Sequence, residues 1–346
     1  MVLICFIFVL GVTIMIHELG HFVVAKKAGV YIYEFSLGMG PKIFSKKRKN
    51  DPTEYNIRLF PIGGFVSMAG EDLETDQKIP KENQLCNKSW IARFATLIAG
   101  IVCNFLLAII LLFIVGLCNG VPKYDTKIAY LNENYPIYNT SIEVGDNIKK
   151  INNTKINSSE MLVLELAVYS GKEISLQVEH QDGTLETVKV KPIYTERDGQ
   201  KGYAYGFNLD NTKEKGFLPA IQYAFKQTKN LITQMGKMLY YLITGKLGLD
   251  NLSGPVGIYT IVGTAASAGF LSILYLIAYL CINVGLINLI PLPAFDGGRI
   301  LFLIIEKIKG TKVNPKIENT IHTIGFMLLM VLMIYVTYHD ILRIFK

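Results

Sequence analysis

Four apolar stretches interrupt an otherwise mixed chain, at roughly residues 1–25, 91–118, 271–294 and 320–338. A helix rises about 1.5 Å per residue, so each stretch can cross a hydrocarbon core of about 30 Å. Between the second and third the pattern changes. Residues 120–205 alternate polar and β-branched positions, as in Glu173–Glu179 and Leu185–Val190, with turn signals at Asp182-Gly183 and Asp198-Gly199. This predicts a small β-rich domain. Residues 216–246 then place Phe217, Ile221, Phe225, Ile232, Met235, Leu239 and Leu242 at helical spacing, with Lys226, Lys229 and Lys237 between them. Such a helix either lies on a membrane surface or packs into a core. Residues 53–71 hold short β-prone runs broken by Pro61, Gly63 and Gly64, and predict a hairpin or re-entrant loop. Its apolar Gly63-Gly64-Phe65 tip places it dipping into the membrane, with an open edge that could add an extended substrate as a further strand. A simple amphipathic surface hairpin is the alternative.

The expected fold class is a multi-pass α-helical membrane protein with four transmembrane helices, a re-entrant β-hairpin and an inserted β-rich domain. Its parts are a first membrane half over 1–118, an extracytoplasmic domain over 119–210, a surface helix and linker over 211–270, and a second membrane half over 271–346.

Composition agrees with a mixed protein. The chain of 346 residues is 51% hydrophobic, with mean hydropathy +0.33. A net charge of +7 raises nucleic acid as a partner. The lysines, however, gather beside apolar segments and form no basic helix or aromatic-basic stripe, so membrane orientation explains them and no nucleic-acid partner is expected. Lys26, Lys27, Lys42, Lys46, Lys47, Arg48 and Lys49 follow the first stretch, and Arg299, Lys307, Lys309, Lys312 and Lys316 follow the third. Both clusters mark the cytoplasmic side, which puts residues 119–215 and both termini outside; Arg343 and Lys346 depart from the rule. The five cysteines form no C-x-x-C pair, so neither a disulfide framework nor a cysteine zinc site is implied. The first sixteen residues lack a basic start and a small-residue cleavage site, and read as a retained span and not a signal peptide.

The chemistry begins at His17-Glu18-Leu19-Gly20-His21, inside the first apolar stretch. A helix turns about 100° per residue, so histidines at i and i+4 share a face and can reach one ion. Glu18 stands one step round, placed to take a proton from a water activated by that ion. An HExxH pattern also arises by chance. Three ionisable side chains in five residues of a membrane helix are costly unless paired or bound to an ion, and this favours the metal. Counting back from Lys26 at the interface sets the pair about 8 to 14 Å deep in the cytoplasmic half of the bilayer. Water must then arrive through a protein-lined cavity.

A second ionisable group sits at the end of the third stretch, in Asn288-Leu-Ile-Pro291-Leu-Pro293-Ala-Phe295-Asp296-Gly297-Gly298-Arg299. The prolines break the helix, and the break can project Asp296 toward the ion as an oxygen ligand. Equally, Asp296 could cap a following helix over Ile300–Lys309.

Taken together and in order, HExxH, this proline-aspartate motif, Gly100-x-x-x-Asn104-Phe105, the Gly-Gly-Phe loop and Ser253-Gly254-Pro255-Val256-Gly257-Ile258 resemble the site-2 protease family. Val144-Gly145-Asp146-Asn-Ile148-Lys-Lys-Ile151-Asn152-Asn153 resembles the strand-turn-strand of bacterial PDZ domains. The chain is most similar to the bacterial regulator of sigma-E protease type with one PDZ domain. The resemblance implies Zn²⁺ held by His17, His21 and Asp296, Glu18 as catalytic base, and Asn283 and Asn288 near the substrate. It implies an enzyme of the bacterial cytoplasmic membrane that cuts single-span proteins, either anti-sigma factors or remnant signal peptides, after a site-1 protease has trimmed them. Phe295 stands where the family has leucine and Ile101 where it often has proline. The Tyr135–Ile142 loop lacks a glycine-leucine turn for a peptide carboxylate, so the inserted domain either captures peptide or excludes bulky outer domains.

Two rival functions fit parts of the pattern. A metal transporter would also carry intramembrane His, Glu and Asp, but no chain of ionisable residues continues toward the outer face. A scaffold with a structural zinc needs a fourth protein ligand, for which His322, His339 and Asp340 are the candidates.

Overall fold

The computed structural model describes residues 1–71, 77–197, 200–249 and 252–344; the expected Asp198-Gly199 turn and Lys346 lie outside them. The described helices are α1 Val2–Lys27, α2 Trp90–Asn119, α3 Ser159–Val168, α4 Phe217–Ile243, α5 Pro255–Ser267, α6 Phe270–Leu289, α7 Asp296–Lys309 and α8 Pro315–Ile344. The strands are β1 Ile32–Lys47, β2 Glu54–Met68, β3 Val121–Pro122, β4 Ile128–Leu131, β5 Asn147–Ile151, β6 Thr154–Lys155, β7 Ile174–Glu179, β8 Leu185–Val190, β9 Ile193–Arg197, β10 Gln200–Ala204, β11 Phe207–Leu209 and β12 Lys213–Glu214. Four helices, α1, α2, α6 and α8, are long and apolar enough to cross a membrane. They correspond to the four apolar stretches. α6 stops at Leu289, short of the expected 294, because Pro291 and Pro293 cannot donate to a continuing helix.

Two compact units divide the chain, Met1–Leu112 with Leu249–Lys346, and Phe113–Gly248. In the first, α1 and α2 approach so closely at Gly20 that a Cβ there would meet the Ala99 carbonyl oxygen at 2.4 Å. Small residues let membrane helices touch backbone to backbone, and this contact sets which α2 residues face the histidines. α7 is fixed to α2 by the Trp90 indole, which donates to the Leu303 carbonyl at 2.8 Å, and by Arg93, which donates to both Glu306 oxygens at 2.8 and 2.9 Å. Leu97, Ile101, Ile300 and Leu303 bury the apolar side of that contact.

β1 and β2 form more than a hairpin. Residues 32–37 run against 64–68 and, on their other side, alongside 54–57, while residues 42–47 fold back against 54–58. The order across the sheet is therefore 42–47, 54–58, 32–37, 64–68. Gly38 and Gly40, with φ of 86° and 85°, supply the left-handed backbone at the bend in β1. The sequence pattern showed only the β2 half; β1 is broken by those glycines and crowded with lysines, and its alternation is lost. No strand pairs with the outer edge of 64–68 among the described residues.

The second unit is β-rich. A four-stranded sheet of order β6-β5-β7-β8 packs Ile148, Ile151, Ile174, Leu176 and Val178 against Met161, Leu162 and Leu164 of α3. Both strand runs read from the sequence appear here, joined by a turn in which Gly183 has φ 85°. α3, which the alternating pattern did not reveal, is started by Ser158, whose hydroxyl accepts the Met161 N–H. α4 packs in this same unit. It buries Ala220, Ala224, Gln227, Thr228, Leu231 and Tyr241, and the Tyr241 hydroxyl donates to the buried Glu165 of α3 at 2.6 Å. Its other side leaves Phe217, Leu218, Phe225 and Ile243 exposed.

Candidate metal centre

α1 is a long apolar helix, interrupted by Thr13 and the His17–His21 motif, that ends at Lys26 and Lys27, whose charges suit its carboxyl end. His17 and His21 therefore lie one turn apart, both buried. α7 begins at Asp296, and the preceding Phe295, in extended geometry, is the N-cap; no side chain caps this helix. The capping role open to Asp296 from sequence is thus not the one it takes. The carboxylate instead reaches the histidines: Oδ2 lies 3.1 Å from His17 Nε2 and 3.3 Å from His21 Nε2, and the two Nε2 atoms are 3.2 Å apart. His17, His21 and Asp296 form the metal-competent cluster found among the described residues.

Hydrogen bonds show what these atoms offer. His21 Nδ1 lies 2.8 Å from the Thr96 carbonyl, which can only accept, so Nδ1 carries the proton and Nε2 of the neutral ring presents a lone pair. Asp296 Oδ2 is buried and has no hydrogen-bond partner. Lone pairs converging in a buried triangle repel unless a cation lies between them. Donors about 2.0–2.1 Å from a tetrahedral zinc sit about 3.3 Å apart, which is the edge length found. Two nitrogens, one oxygen and this spacing fit Zn²⁺ with a fourth position open.

The room is kept by glycines. A Cβ on Gly100 would lie 2.4 Å from His21 Nε2 and 2.9 Å from His17 Cε1. Gly297 and Gly298 let the chain cross under the end of α6, where Cβ atoms would lie 2.3 Å from the Ile290 carbonyl oxygen and 2.4 Å from that of Leu292. Thr96, Gly100 and Asn104 recur every four residues on α2 and face the two rings. Sequence reasoning used Gly100 and Asn104 only as carriers of a family resemblance and missed Thr96. A stripe of small or polar residues at i, i+4 and i+8 in an otherwise apolar helix was the available signal.

Glu18 is half-buried and within Coulombic reach of His17, His21, Asp296 and Glu71. Its Cγ lies 3.4 Å from where a Gly64 Cβ would be, and Ser36 carbonyl oxygen lies 3.0 Å from the same point. The 64–68 edge of β2 thus runs beside the glutamate. Gly63 has φ 94°, and the Phe65 ring lies 5.1 Å from the Arg58 guanidinium. Asn283 and Asn288 are half-buried on α6, and the Asn288 amide donates to the Val284 carbonyl at 2.9 Å; no hydrogen bond joins either to the three donors.

The three candidate fourth ligands are engaged elsewhere. His322 Nδ1 accepts the N–H of Ala294, a non-glycine residue at φ 78°. His339 packs on the Tyr335 ring at 4.6 Å. Asp340, buried, accepts the Gly257 N–H at 2.8 Å and so caps the first turn of α5. That contact accounts for part of the Ser253–Ile258 motif, since a Cβ on Gly254 would lie 2.8 Å from the same carboxylate.

A fold of four apolar helices, a sheet beside an HExxH helix and an Asp from a proline-broken segment defines a class of membrane-embedded peptidases. The family model described as peptidase family M50 matches residues 5–332. The chain belongs to this family, that of the site-2 proteases. Among similar proteins, a Clostridium acetobutylicum protein named as a presumed zinc metalloprotease is 36% identical over 331 residues, covering 96% of this chain and 94% of its own. The regulator of sigma-W protease RasP of Bacillus subtilis is 33% identical, covering 99% of this chain and 98% of its own. Zinc metalloprotease RasP of Shouchella clausii is 32% identical, covering 99% of each. The alignment with the Bacillus subtilis protein runs over 419 positions against 346 residues here, so that relative carries insertions this chain lacks.

Proposed function

We propose that this chain is a zinc metalloprotease that hydrolyses peptide bonds of single-span membrane proteins within the bilayer. The observation that carries this reading is the triangle of His17 Nε2, His21 Nε2 and Asp296 Oδ2, with edges of 3.1 to 3.3 Å, whose two histidines lie on the helix that also bears Glu18. Three protein donors leave a position for substrate or water, whereas a structural zinc is closed by four. The absence of His322, His339 and Asp340 from the cluster therefore favours catalysis over a scaffold.

Zinc held by His17, His21 and Asp296 would polarise the scissile carbonyl and lower the pKa of a water to about 7. Glu18 takes a proton at its carboxylate from the attacking water as the water oxygen bonds to the carbonyl carbon, and passes it to the amine nitrogen as the C–N bond breaks, so that no covalent enzyme intermediate is required. A substrate helix hides its amides in its own hydrogen bonds and must unwind before attack. The 64–68 edge beside Glu18, including Gly64 and Phe65 and following Gly63, holds the unwound segment as an added strand. Asn283 and Asn288 bind the substrate backbone or the developing oxyanion; one Asn288 N–H is held by the Val284 carbonyl, and its second N–H is the donor for this role.

The basic residues after α1 and α6 support an active site near the cytoplasmic face of a bacterial inner membrane and a PDZ-like β-rich unit outside the cytoplasm. The Bacillus subtilis relative is named as a regulator of sigma-W protease; in this reading the substrate is an anti-sigma factor or a remnant signal peptide, on which a site-1 protease acts first.

The test is a Glu18→Gln chain, purified and supplied with a single-span reporter. It retains one zinc and loses cleavage by at least about 10²-fold. Ion flux in proteoliposomes without peptide products would instead select a transporter. A glycine or proline near the centre of the reporter speeds cleavage; equal rates with and without it would remove unwinding as a barrier.

A further inference from the structure

Asn104 is fully buried on α2, and its amide meets His17 Nδ1 at 3.3 Å. As placed, Nδ2 faces the ring and Oδ1 is buried without a hydrogen-bond partner. The oxygen and nitrogen of an amide have the same shape, and their assignment follows from the hydrogen bonds they make. Here those bonds decide it. For His17 Nε2 to offer a lone pair toward His21 and Asp296, the proton of the neutral ring must sit on Nδ1. A proton on Nδ1 facing an NH₂ group sets donor against donor, and leaves a buried carbonyl oxygen unsatisfied as well. Turning the amide over removes the clash and gives the buried oxygen its partner, with Nδ2 moving to the place Oδ1 holds.

We infer that Asn104, with Oδ1 accepting from His17 Nδ1–H, is a positioning residue that fixes His17 in the metal-binding tautomer, as the Thr96 carbonyl does for His21. The two acceptors come from one helix, eight residues apart, with Gly100 between them clearing space for both rings. α2 is thus the support of the metal centre while contributing no ligand. Partners of this kind orient the ring and raise its basicity, and their loss typically weakens metal binding 10–100-fold. The inference rests on the zinc reading above, and the experiment separates the two.

Full-length protein in detergent micelles is stripped of metal and titrated with Zn²⁺ against a competing chelator, for the unaltered chain, Asn104→Leu and Asn104→Asp. Leucine keeps the branching, though with bulkier methyls, and offers no acceptor; aspartate keeps both shape and volume and, ionised, can only accept. The expected result is a 10–100-fold weaker zinc dissociation constant for Asn104→Leu and a value within about 3-fold of the unaltered chain, or tighter, for Asn104→Asp. Unfolding midpoints of the three metal-free proteins serve as the folding control, and a metal-free Asn104→Asp as stable as the unaltered chain makes its affinity interpretable on its own. Selective ¹⁵N-imidazole labelling of the unaltered chain adds a reading free of substitution: His17 in the zinc-free state shows a protonated Nδ1 at neutral pH. Aspartate as damaging as leucine, equal affinity in all three proteins, or an Nε2-protonated His17 would overturn the inference and leave the metal centre standing. If the unaltered chain takes up no zinc, the metal reading falls and this inference with it.

Discussion

At the scale of single residues, the site is built as much by absent side chains as by present ones. Gly100 is the clearest instance, because its missing Cβ is the space between the two rings. Gly100→Ala inserts a methyl 2.4 Å from His21 Nε2, held by backbone on an apolar helix that has nowhere to retreat. The expected outcome is loss of zinc, at least about 10-fold in affinity, with the helices still inserted; metal content of the purified variant checks it. Gly64→Val separates the substrate side from the metal side. Its side chain meets the Ser36 carbonyl and Glu18 Cγ, so cleavage falls while zinc stays bound, and the pair of measurements on one preparation shows whether the two functions part as described. The HExxH pair was legible in sequence because helical periodicity is local: i and i+4 face the same way whatever surrounds them. Asp296 was legible only as one of two alternatives. Nothing local distinguishes an aspartate that caps its helix from one that turns outward, and the deciding partners lie near the other end of the chain.

Elements show how those side chains are aimed. α7 carries Asp296 at its first turn and is held to α2 by Trp90, Arg93 and Glu306, so one helix buttress serves both the histidines and the carboxylate. α5 is capped from another helix by Asp340. Asp340→Ala is expected to cost about 1–2 kcal/mol of stability, as loss of a cap does, and to leave zinc affinity unchanged; thermal unfolding in the presence and absence of metal tests both halves. In the β-rich unit His180 lies between Asp146 Oδ2 at 2.9 Å and Glu186 Oε2 at 3.1 Å. The hydrogen bond to Glu186, aided by Asp146 and opposed by burial, raises its pKa above the ordinary histidine value. A raised folded pKa means stabilisation that is complete below the unfolded value near 6.5 and is lost as pH rises through the folded one. The unfolding midpoint should fall as pH rises from below 6.5 through the raised folded value, and His180→Asn should flatten that dependence. The strands here were legible through strict alternation and a Gly183 turn. β1 was not, since its bend places two glycines and several lysines where an alternating pattern is sought, and its partner lies on both sides of it.

For the whole molecule, the two membrane halves meet through contacts such as those of α1 with α5 and α6, and a metal held as proposed would add a link between α1 and α7. A ligand that binds the folded state alone stabilises it in proportion to the logarithm of its concentration over its dissociation constant. Saturating Zn²⁺ should therefore raise the unfolding midpoint of the chelator-treated protein by several degrees, and Asp296→Asn should abolish most of that rise. Equal shifts in both proteins would place the stabilising ion elsewhere. The four spans, the β-rich insert and their order were readable because each depends on a run of neighbouring residues. The stripe of Thr96, Gly100 and Asn104 was not, because its meaning depends on which helix it faces.

His17 and His21 leave the ribosome with the first helix, whereas Asp296 follows only after most of the chain has been made. Bacterial synthesis at about 5–20 residues per second puts tens of seconds between them. Throughout that interval the newborn protein holds an imidazole pair with no third donor and an α1 glutamate with nothing to act on. On the ligand set proposed above, the hydrolase would have no complete metal site while its own unfolded segments, the peptides closest at hand, are still threading into the lipid, and would gain one once its carboxyl-terminal half has docked.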